Sequence, residues 1–205
     1  MSGWNTVTRR LYRGLAALGL ALAVAAPAAA QAPLLSPGVT EWSAAAGAAR
    51  GITLLQSTGG DGYLAGHLTW GRVLTDLRGP RFLRGRFEWT VEVVPVFAEW
   101  SSGHARGAGL SPLGWRWNLA PRGRALPYLE VGGGALWTTA PIPDGTTGSN
   151  FTSYAGAGVR LLTHGRQGLV ASYRLHHISN GNRLRRNPGV NAHMLLLGWT
   201  ALHGQ

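Results

Sequence analysis

The feature that most constrains the fold is a two-residue alternation of apolar and polar side chains along most of the chain. Between Phe87 and Val93, aromatic and branched aliphatic residues hold the odd positions, while Glu88, Thr90 and Glu92 hold the even ones. Successive side chains of a strand point to opposite faces, so this pattern predicts strands with one apolar and one polar face. The chain also has 31 glycines in 205 residues, which disfavours long helices because glycine weakens them.

Clusters of glycine, proline, asparagine and aspartate divide this pattern into eight predicted strands. The eight segments are Glu41–Leu55, Gly62–Leu77, Phe82–Trp100, His104–Leu119, Ala125–Thr138, Asn150–Thr163, Gly168–Ser179 and Asn191–Leu202. An even number of long strands in an exported chain favours an all-β fold, an eight-stranded antiparallel outer-membrane β-barrel. A soluble β-sandwich, with the apolar faces as its core, is the alternative that composition leaves open. A barrel of this size is filled by side chains, so we expect no aqueous pore.

The N-terminal segment has the parts of a bacterial signal peptide. Arginines precede the apolar segment Leu15–Val24, and small residues follow up to Ala30. We therefore expect residues 1–30 to be a signal peptide and residues 31–205 to form a single β-barrel domain in the bacterial outer membrane. The chain contains no cysteine, so the domain is not stabilised by disulfide bonds.

The net charge of +11 comes from arginine, because the chain has no lysine. A basic chain can bind nucleic acid, but this chain carries an export signal and no nucleic-acid-binding motif, so we expect no nucleic-acid partner. Arginine also binds phosphate groups through two parallel hydrogen bonds. The basic charge is therefore compatible with an anionic lipid surface.

Two residues near the C-terminus have the spacing of a catalytic pair. His177 and Ser179 are two positions apart in a predicted strand, so their side chains share one face, and that face is otherwise apolar. A histidine beside a serine suits nucleophilic catalysis, in which the imidazole takes the serine proton and the hydroxyl attacks an ester carbonyl. By alternation, the pair faces outward with Asn191 and His193 of the next strand. The alternative is that both residues only mark the polar rim where the strand leaves the membrane.

A metal site is the other chemistry that the histidines of this region could suggest. His176 and His177 are adjacent in the strand and therefore point to opposite faces. Three imidazoles including His193 would not converge on one ion. We therefore expect no metal and no cofactor.

The C-terminal hairpin resembles a known enzyme family. The run His177-Ile178-Ser179-Asn180, followed by Asn187-Pro188-Gly189 and a final apolar strand, is similar to the lipid A 3-O-deacylase (PagL-like) family, whose members are often described as acyloxyacyl hydrolases. The resemblance implies an outer-membrane serine esterase, a carboxylic ester hydrolase that removes the ester-linked acyl chain at the 3-O position of lipid A. Its active site would lie on the outer wall of the barrel.

The resemblance also implies a role for each matching residue. His177 would be the base and Ser179 the nucleophile, while Asn187, with a backbone N–H brought close by Gly189, would form the oxyanion hole. The family's acidic residue falls on Asn191, and the chain contains no aspartate or glutamate after Asp144. Asn191 could orient His177 through its amide oxygen. The alternative is a catalytically impaired or non-enzymatic outer-membrane barrel of the same family.

The expected partners follow from this interpretation. They are lipid A of lipopolysaccharide in the outer leaflet and the membrane itself, and a second copy of the chain could form a homodimer. Arg183, Arg185 and Arg186 lie in the loop beside the pair and could bind the phosphates of lipid A. Equally, they could be a generic basic loop facing an anionic surface.

Overall fold

Eight antiparallel strands close into a barrel in the computed structural model, which describes residues 34–101, 104–183 and 188–204. The strands are β1 (Thr40–Leu54), β2 (Gly62–Val73), β3 (Gly85–Glu99), β4 (Arg106–Leu119), β5 (Ala125–Thr138), β6 (Ser149–His164), β7 (Gln167–Ser179) and β8 (Val190–His203). Each strand pairs with the next in sequence, and β1 also pairs with β8, so the sheet closes on itself. The predicted eight-stranded antiparallel barrel is thereby confirmed, and the expected signal peptide, residues 1–30, lies outside the described residues.

The two ends of the barrel differ in their connections. Thr40 at the start of β1 lies opposite His203 at the end of β8, and we call this the lower end. At the upper end, a two-residue strand, Ser57–Thr58, folds back on the last residues of β1. In the described part of the chain, no helix is long and apolar enough to cross a membrane.

One connection at the lower end is longer than the sequence pattern predicts. We expected strands to reach Leu77 and to resume at Phe82, but β2 stops at Val73 and β3 begins at Gly85. Pro80 cannot donate a backbone hydrogen bond to a neighbouring strand. The segment instead forms a single turn of 3-10 helix, Arg81–Leu83.

The outer wall of the barrel is apolar and ends in a belt of aromatic rings at the lower end. Trp42 lies directly opposite Trp70, and Trp89 lies opposite Trp115. The rings of Trp70 and Trp89 pack edge to face with their centroids 5.5 Å apart. Above this belt the exposed strand residues are mainly leucine and valine, among them Leu64, Leu68, Val93, Leu110, Leu175, Leu195 and Leu197. An apolar band bordered by an aromatic girdle is typical of membrane barrels.

The interior of the barrel is filled by a network of buried ion pairs. Its charged members among the described residues are Glu41, Glu88, Glu92, Glu130, Arg116, Arg160 and Arg174. Arg174 binds Glu92 through two parallel hydrogen bonds of 3.0 and 2.9 Å. Most of these ion pairs join strands on different sides of the barrel. This face of the sheet is therefore the interior, and the opposite face of each strand points outward.

Candidate active site

A row of four residues crosses the outer wall near the upper end of the barrel. His177 on β7 lies directly opposite Ser153 on β6 and Asn191 on β8, and Asn191 lies opposite Ile52 on β1. The neighbour of His177 in sequence, Ile178, is fully buried inside the barrel. Because side chains alternate along a strand, His177 is on the outer face, as the sequence pattern predicts.

The contact between His177 and Asn191 determines which imidazole nitrogen can act as a base. Nδ1 of His177 lies 2.8 Å from Oδ1 of Asn191. The side-chain Nδ2 of Asn191 donates a hydrogen bond of 2.9 Å to the carbonyl oxygen of Leu54, which fixes the orientation of the amide. Since an amide oxygen can only accept, His177 carries its proton on Nδ1. The lone pair is then on Nε2, the nitrogen available to take a proton.

Asn191 is held in place by the end of β1 and the short strand that follows it. Its side chain is bonded to Leu54, and its backbone N–H donates to Oγ of Ser57 at 3.3 Å. Asn191 is only 9% exposed. Sequence analysis did not identify Leu54 or Ser57 as supports, because their contact with Asn191 depends on the closure of β1 against β8.

Ser179 lies at the upper end of β7, on the same face as His177. It is opposite Phe151 of β6. In the described part of the chain, no hydrogen bond joins Ser179 to His177, and two positions along a strand separate their Cα atoms by about 6.8 Å. Serine and histidine side chains can meet across that spacing, and such contacts often form only when substrate is bound.

Ser153 is a second outward hydroxyl beside His177, which sequence analysis did not single out. It is exposed and is the direct cross-strand partner of His177. Such partners have Cβ atoms about 4.5–5.5 Å apart. No local pattern could have revealed this contact, because it depends on the register between β6 and β7.

Gly189 packs directly against the imidazole ring. Its backbone has a φ of +64°, and a Cβ at this position would lie 2.8 Å from Cε1 of His177. Only glycine combines this conformation with so close an approach. The other loop residues that we predicted to join the site, Arg185, Arg186 and Asn187, lie outside the described residues.

Substituting Gly189 with alanine should therefore displace His177 and lower activity without unfolding the barrel. The new methyl group would meet the ring at 2.8 Å in a backbone conformation that disfavours a side chain. We expect any reaction that uses His177 as its base to slow about tenfold or more, since small displacements of a catalytic group are costly. Gly145→Ala is a matched control, because Gly145 also has a positive φ but has open space around its Cα. Equal activity of the two variants would contradict the placement of Gly189.

A shallow cavity of about 240 Å³ opens on the outer wall beside this row. His177 and Asn191 line it, together with the apolar side chains of Ile52, Leu54 and Leu175. The cavity therefore offers an apolar surface that leads to the basic nitrogen. An extended hydrocarbon chain is the kind of ligand that such a surface accommodates.

Arg183 lies at the opposite edge of the site from Asn191. Its guanidinium stacks over the ring of Phe151 with 5.0 Å between the guanidinium carbon and the ring centroid. Phe151 is itself the cross-strand partner of Ser179. The structure thus places one of the three predicted phosphate-binding arginines beside the serine.

The remaining histidines of the hairpin do not join this site. Nδ1 of His176 lies 2.5 Å from the hydroxyl of Tyr63, and both line a small cavity inside the barrel. His193 is on the outer face and contacts Tyr173. Among the residues that the structure describes, no three metal-binding side chains converge.

Comparisons with known proteins point to one family. The family model for "Lipid A 3-O-deacylase (PagL)" matches residues 66–200. A solved structure described as "Crystal structure of the outer membrane enzyme PagL" superposes with a TM-score of 0.52, covering 78% of this chain and 98% of that chain at 19% sequence identity. At this identity the superposition establishes the fold alone. The comparison with curated proteins found no match.

Proposed function

Because the chain belongs to the lipid A 3-O-deacylase family, we propose that it is an outer-membrane serine esterase that releases the 3-O-linked acyl chain of lipid A in lipopolysaccharide. The observation that carries this proposal is the 2.8 Å contact between His177 Nδ1 and Asn191 Oδ1, which leaves Nε2 of His177 free as a base. Ser179 is the nucleophile on the same face, and the apolar cavity that His177 and Asn191 line receives the acyl chain.

The height of the site on the barrel supports this assignment. Trp199, whose exposed indole lies near the lower end of β8, and Asn191 are eight positions apart on that strand, which is about 27 Å along the strand. With the usual strand tilt this becomes about 20 Å along the membrane normal, within an apolar band about 25 Å tall. The His177 row therefore lies near the upper edge of the hydrocarbon, where the ester bonds of outer-leaflet lipids lie, with the termini on the periplasmic side.

The proposed reaction proceeds in two steps. His177 Nε2 takes the proton of Ser179 while the serine oxygen attacks the ester carbonyl carbon, and the side chain of Asn187 with a backbone N–H near Gly189 stabilises the oxyanion. The carbon–oxygen bond to the sugar then breaks, and the proton passes from His177 to the departing sugar oxygen, which becomes a hydroxyl. Water, deprotonated by His177, releases the fatty acid from Ser179 and restores the enzyme.

Asn191 orients the imidazole but supplies no negative charge. In the transition state His177 becomes positively charged, and an amide oxygen stabilises that charge less than a carboxylate does. This deficit is the observation that favours the second candidate, a barrel of the same family with little or no esterase activity.

An Asn191→Asp variant measures this deficit. Asp has the same size and keeps the contact with His177, but it places a carboxylate oxygen against the carbonyl of Leu54 in place of the present hydrogen bond. A charge-assisted hydrogen bond exceeds a neutral one by about 1 kcal/mol, so kcat should rise about fivefold. The lost bond to Leu54 should lower the stability of the folded protein by about 1–3 kcal/mol. A kcat that stays constant or falls would show that Asn191 is not a weaker substitute for an acid.

Arg183 is the described residue best placed to bind a phosphate of lipid A. It lies beside Ser179 through Phe151, outside the ion pairs of the barrel interior. Its planar guanidinium can form two parallel hydrogen bonds with a phosphate. The loop arginines Arg185 and Arg186 share this proposed role.

Mass spectrometry of lipid A from cells that produce the protein tests the proposed function. The wild-type protein should yield lipid A that lacks one ester-linked acyl chain, and Ser179→Ala should leave lipid A fully acylated. Fully acylated lipid A with the wild-type protein, together with no hydrolysis by the purified protein, would support the non-enzymatic barrel. A missing chain that persists in Ser179→Ala would exclude Ser179 from the mechanism.

A further inference from the structure

A second cavity, of about 210 Å³, opens on the outer wall at the lower end of the barrel, far from the His177 row. Its apolar lining comes from the ends of β4, β5 and β6, namely Leu119, Ala125, Pro127 and Val159. Pro127 and Val159 are directly opposite each other, and the two neighbours of Pro127 along β5, Leu126 and Tyr128, are buried inside the barrel. Because side chains alternate along a strand, the cavity faces outward, toward the membrane.

The cavity lies where the apolar wall meets the polar surface. Leu119 is the last residue of β4, four positions beyond Trp115 of the aromatic belt. Such a belt marks the boundary between the hydrocarbon and the lipid headgroups. The two charged residues of the cavity, Arg81 and Arg122, lie in turns beyond the strand ends, and both are exposed. Their guanidinium groups are therefore on the headgroup side of the belt.

Hydrogen bonds fix the two turns that carry these arginines. Nε1 of Trp117 donates to the carbonyl oxygen of Leu83 at 2.8 Å, which holds the turn Arg81–Leu83 against the end of β4. In the turn between β4 and β5, Arg122 and Ala125 exchange backbone hydrogen bonds of 2.9 and 3.1 Å. The two arginines therefore extend from fixed backbones into the lining of one cavity.

The protein itself does not neutralise these charges. In the described part of the chain, no ion pair joins Arg81 or Arg122 to an acidic side chain. The three connections at the lower end, residues 74–84, 120–124 and 165–166, contain six arginines and one aspartate, a net charge of +5. The four connections at the upper end contain three arginines and two aspartates. A basic cluster at the membrane surface attracts anionic lipid headgroups.

The apolar part of the cavity is continuous with the lipid-facing wall. Phe82, which follows Arg81 in the turn, also lines the cavity and is 81% exposed. A phenyl ring exposed to this extent gains free energy when it inserts among lipids. Leu129 is the next outward residue of β5 above Pro127, and it is also exposed. An acyl chain that starts in the cavity can therefore continue along the wall into the hydrocarbon.

We infer that this cavity binds an anionic phospholipid of the inner leaflet of the outer membrane. Arg81 and Arg122 hold the phosphate through charge-assisted hydrogen bonds, and the start of an acyl chain lies over Pro127 and Val159. The inference rests on the proposed function for one point, the orientation that places the lower end on the periplasmic side. It assigns a lipid site to the end of the barrel away from the proposed chemistry.

Lipid binding to the purified protein in detergent micelles, measured by native mass spectrometry, tests this site. The probes are phosphatidylglycerol and a diacylglycerol with the same acyl chains. Arg81→Gln and Arg122→Gln should each weaken binding of phosphatidylglycerol about tenfold, the usual effect of losing one charge-assisted contact, and leave binding of diacylglycerol unchanged.

Arg124→Gln is the matched control. Arg124 is exposed in the same turn as Arg122, but its guanidinium donates to the carbonyl oxygen of Thr163 at 3.3 Å, and it does not line the cavity. Its replacement removes the same charge and should change the affinity for phosphatidylglycerol by no more than about twofold, because salt screens exposed charges that do not touch the ligand.

Equal weakening by Arg124→Gln, equal weakening of diacylglycerol binding, or no measurable binding of phosphatidylglycerol would overturn the inference. Competition by inorganic phosphate or lipid A as strong as that by phosphatidylglycerol would also overturn it, by assigning the cavity to another source of phosphate. The chain contains no cysteine, so labelling of an Arg124→Cys variant in intact cells by a membrane-impermeant maleimide would contradict the inner-leaflet location.

The outcomes for this site and for the esterase are separable. Phosphatidylglycerol binding that depends on Arg81 and Arg122, combined with no acyl release by the wild-type protein, would keep the phospholipid site and reject the esterase. Acyl release from lipid A without such binding would reject the phospholipid site alone.

Discussion

Replacing Ser179 with alanine should lower the rate of acyl-chain release from lipid A by at least about a thousandfold. Without the serine hydroxyl no acyl-enzyme can form, and His177 could only activate water directly, so the main contribution of the nucleophile and base is lost. The assay is the initial rate of fatty-acid release by purified protein in detergent micelles. Heat-modifiable electrophoretic mobility would show that the variant still folds as a barrel.

Ser153→Ala is the control for this experiment. Ser153 carries an outward hydroxyl directly opposite His177. The variant therefore tests whether nearness to the base is enough for a hydroxyl to act as the nucleophile. We expect Ser153→Ala to retain activity within about threefold, since a surface substitution removes few contacts. Ser179, unlike Ser153, lies at the strand end next to the loop that carries Gly189 and its backbone N–H groups. If Ser153→Ala lost activity and Ser179→Ala kept it, Ser153 on β6 would be the nucleophile.

Replacing Arg160 with methionine should destabilise the barrel by about 3–5 kcal/mol, the cost of leaving buried charges without a partner. Arg160 is fully buried, donates to Glu88 at 2.8 Å and to Asn118 at 2.6 Å, and also binds Glu41. Its loss leaves two carboxylates in the interior with fewer compensating donors. Urea-induced unfolding of the protein in lipid vesicles measures the free energy of unfolding.

Arg106→Met provides the comparison for this substitution. Arg106 is exposed at the end of β4, so its replacement should change the free energy of unfolding by no more than about 0.5 kcal/mol. If Arg160→Met were no more destabilising than Arg106→Met, the interior ion pairs would not stabilise the barrel. Methionine would then fill the interior as well as the charged side chain does.

Sequence periodicity was sufficient to predict the barrel and the outward face of the hairpin. Alternation placed Glu88 and Glu92 on the polar face of their strand and His177 on the outer face of the hairpin, and in the structure Glu88 and Glu92 are buried inside and His177 is outside. The prediction from alternation succeeds because the two faces of a strand lie in different environments along its whole length. The predicted strand ends near Leu77 and Phe82 were wrong, because ladder pairing stops before Pro80 and periodicity alone does not mark that point.

The supports of the site could not be predicted in the same way. The bond from Asn191 to the carbonyl of Leu54 joins residues 137 positions apart, and it exists only because β1 closes against β8. The position of Ser153 beside His177 likewise depends on the register between strands. Register depends on which residues of two neighbouring strands pair in the assembled sheet. The alternation within one strand does not specify that pairing.

The most direct test of the account is the site of covalent labelling by a lipid-like fluorophosphonate, identified by peptide mass spectrometry. If Nε2 of His177 activates Ser179 on the outer wall, the phosphonyl group should be found on Ser179, and the His177→Gln variant and excess lipid A should prevent the labelling. Labelling of Ser153, or hydrolysis of lipid A by a protein that the reagent leaves unlabelled, would contradict it.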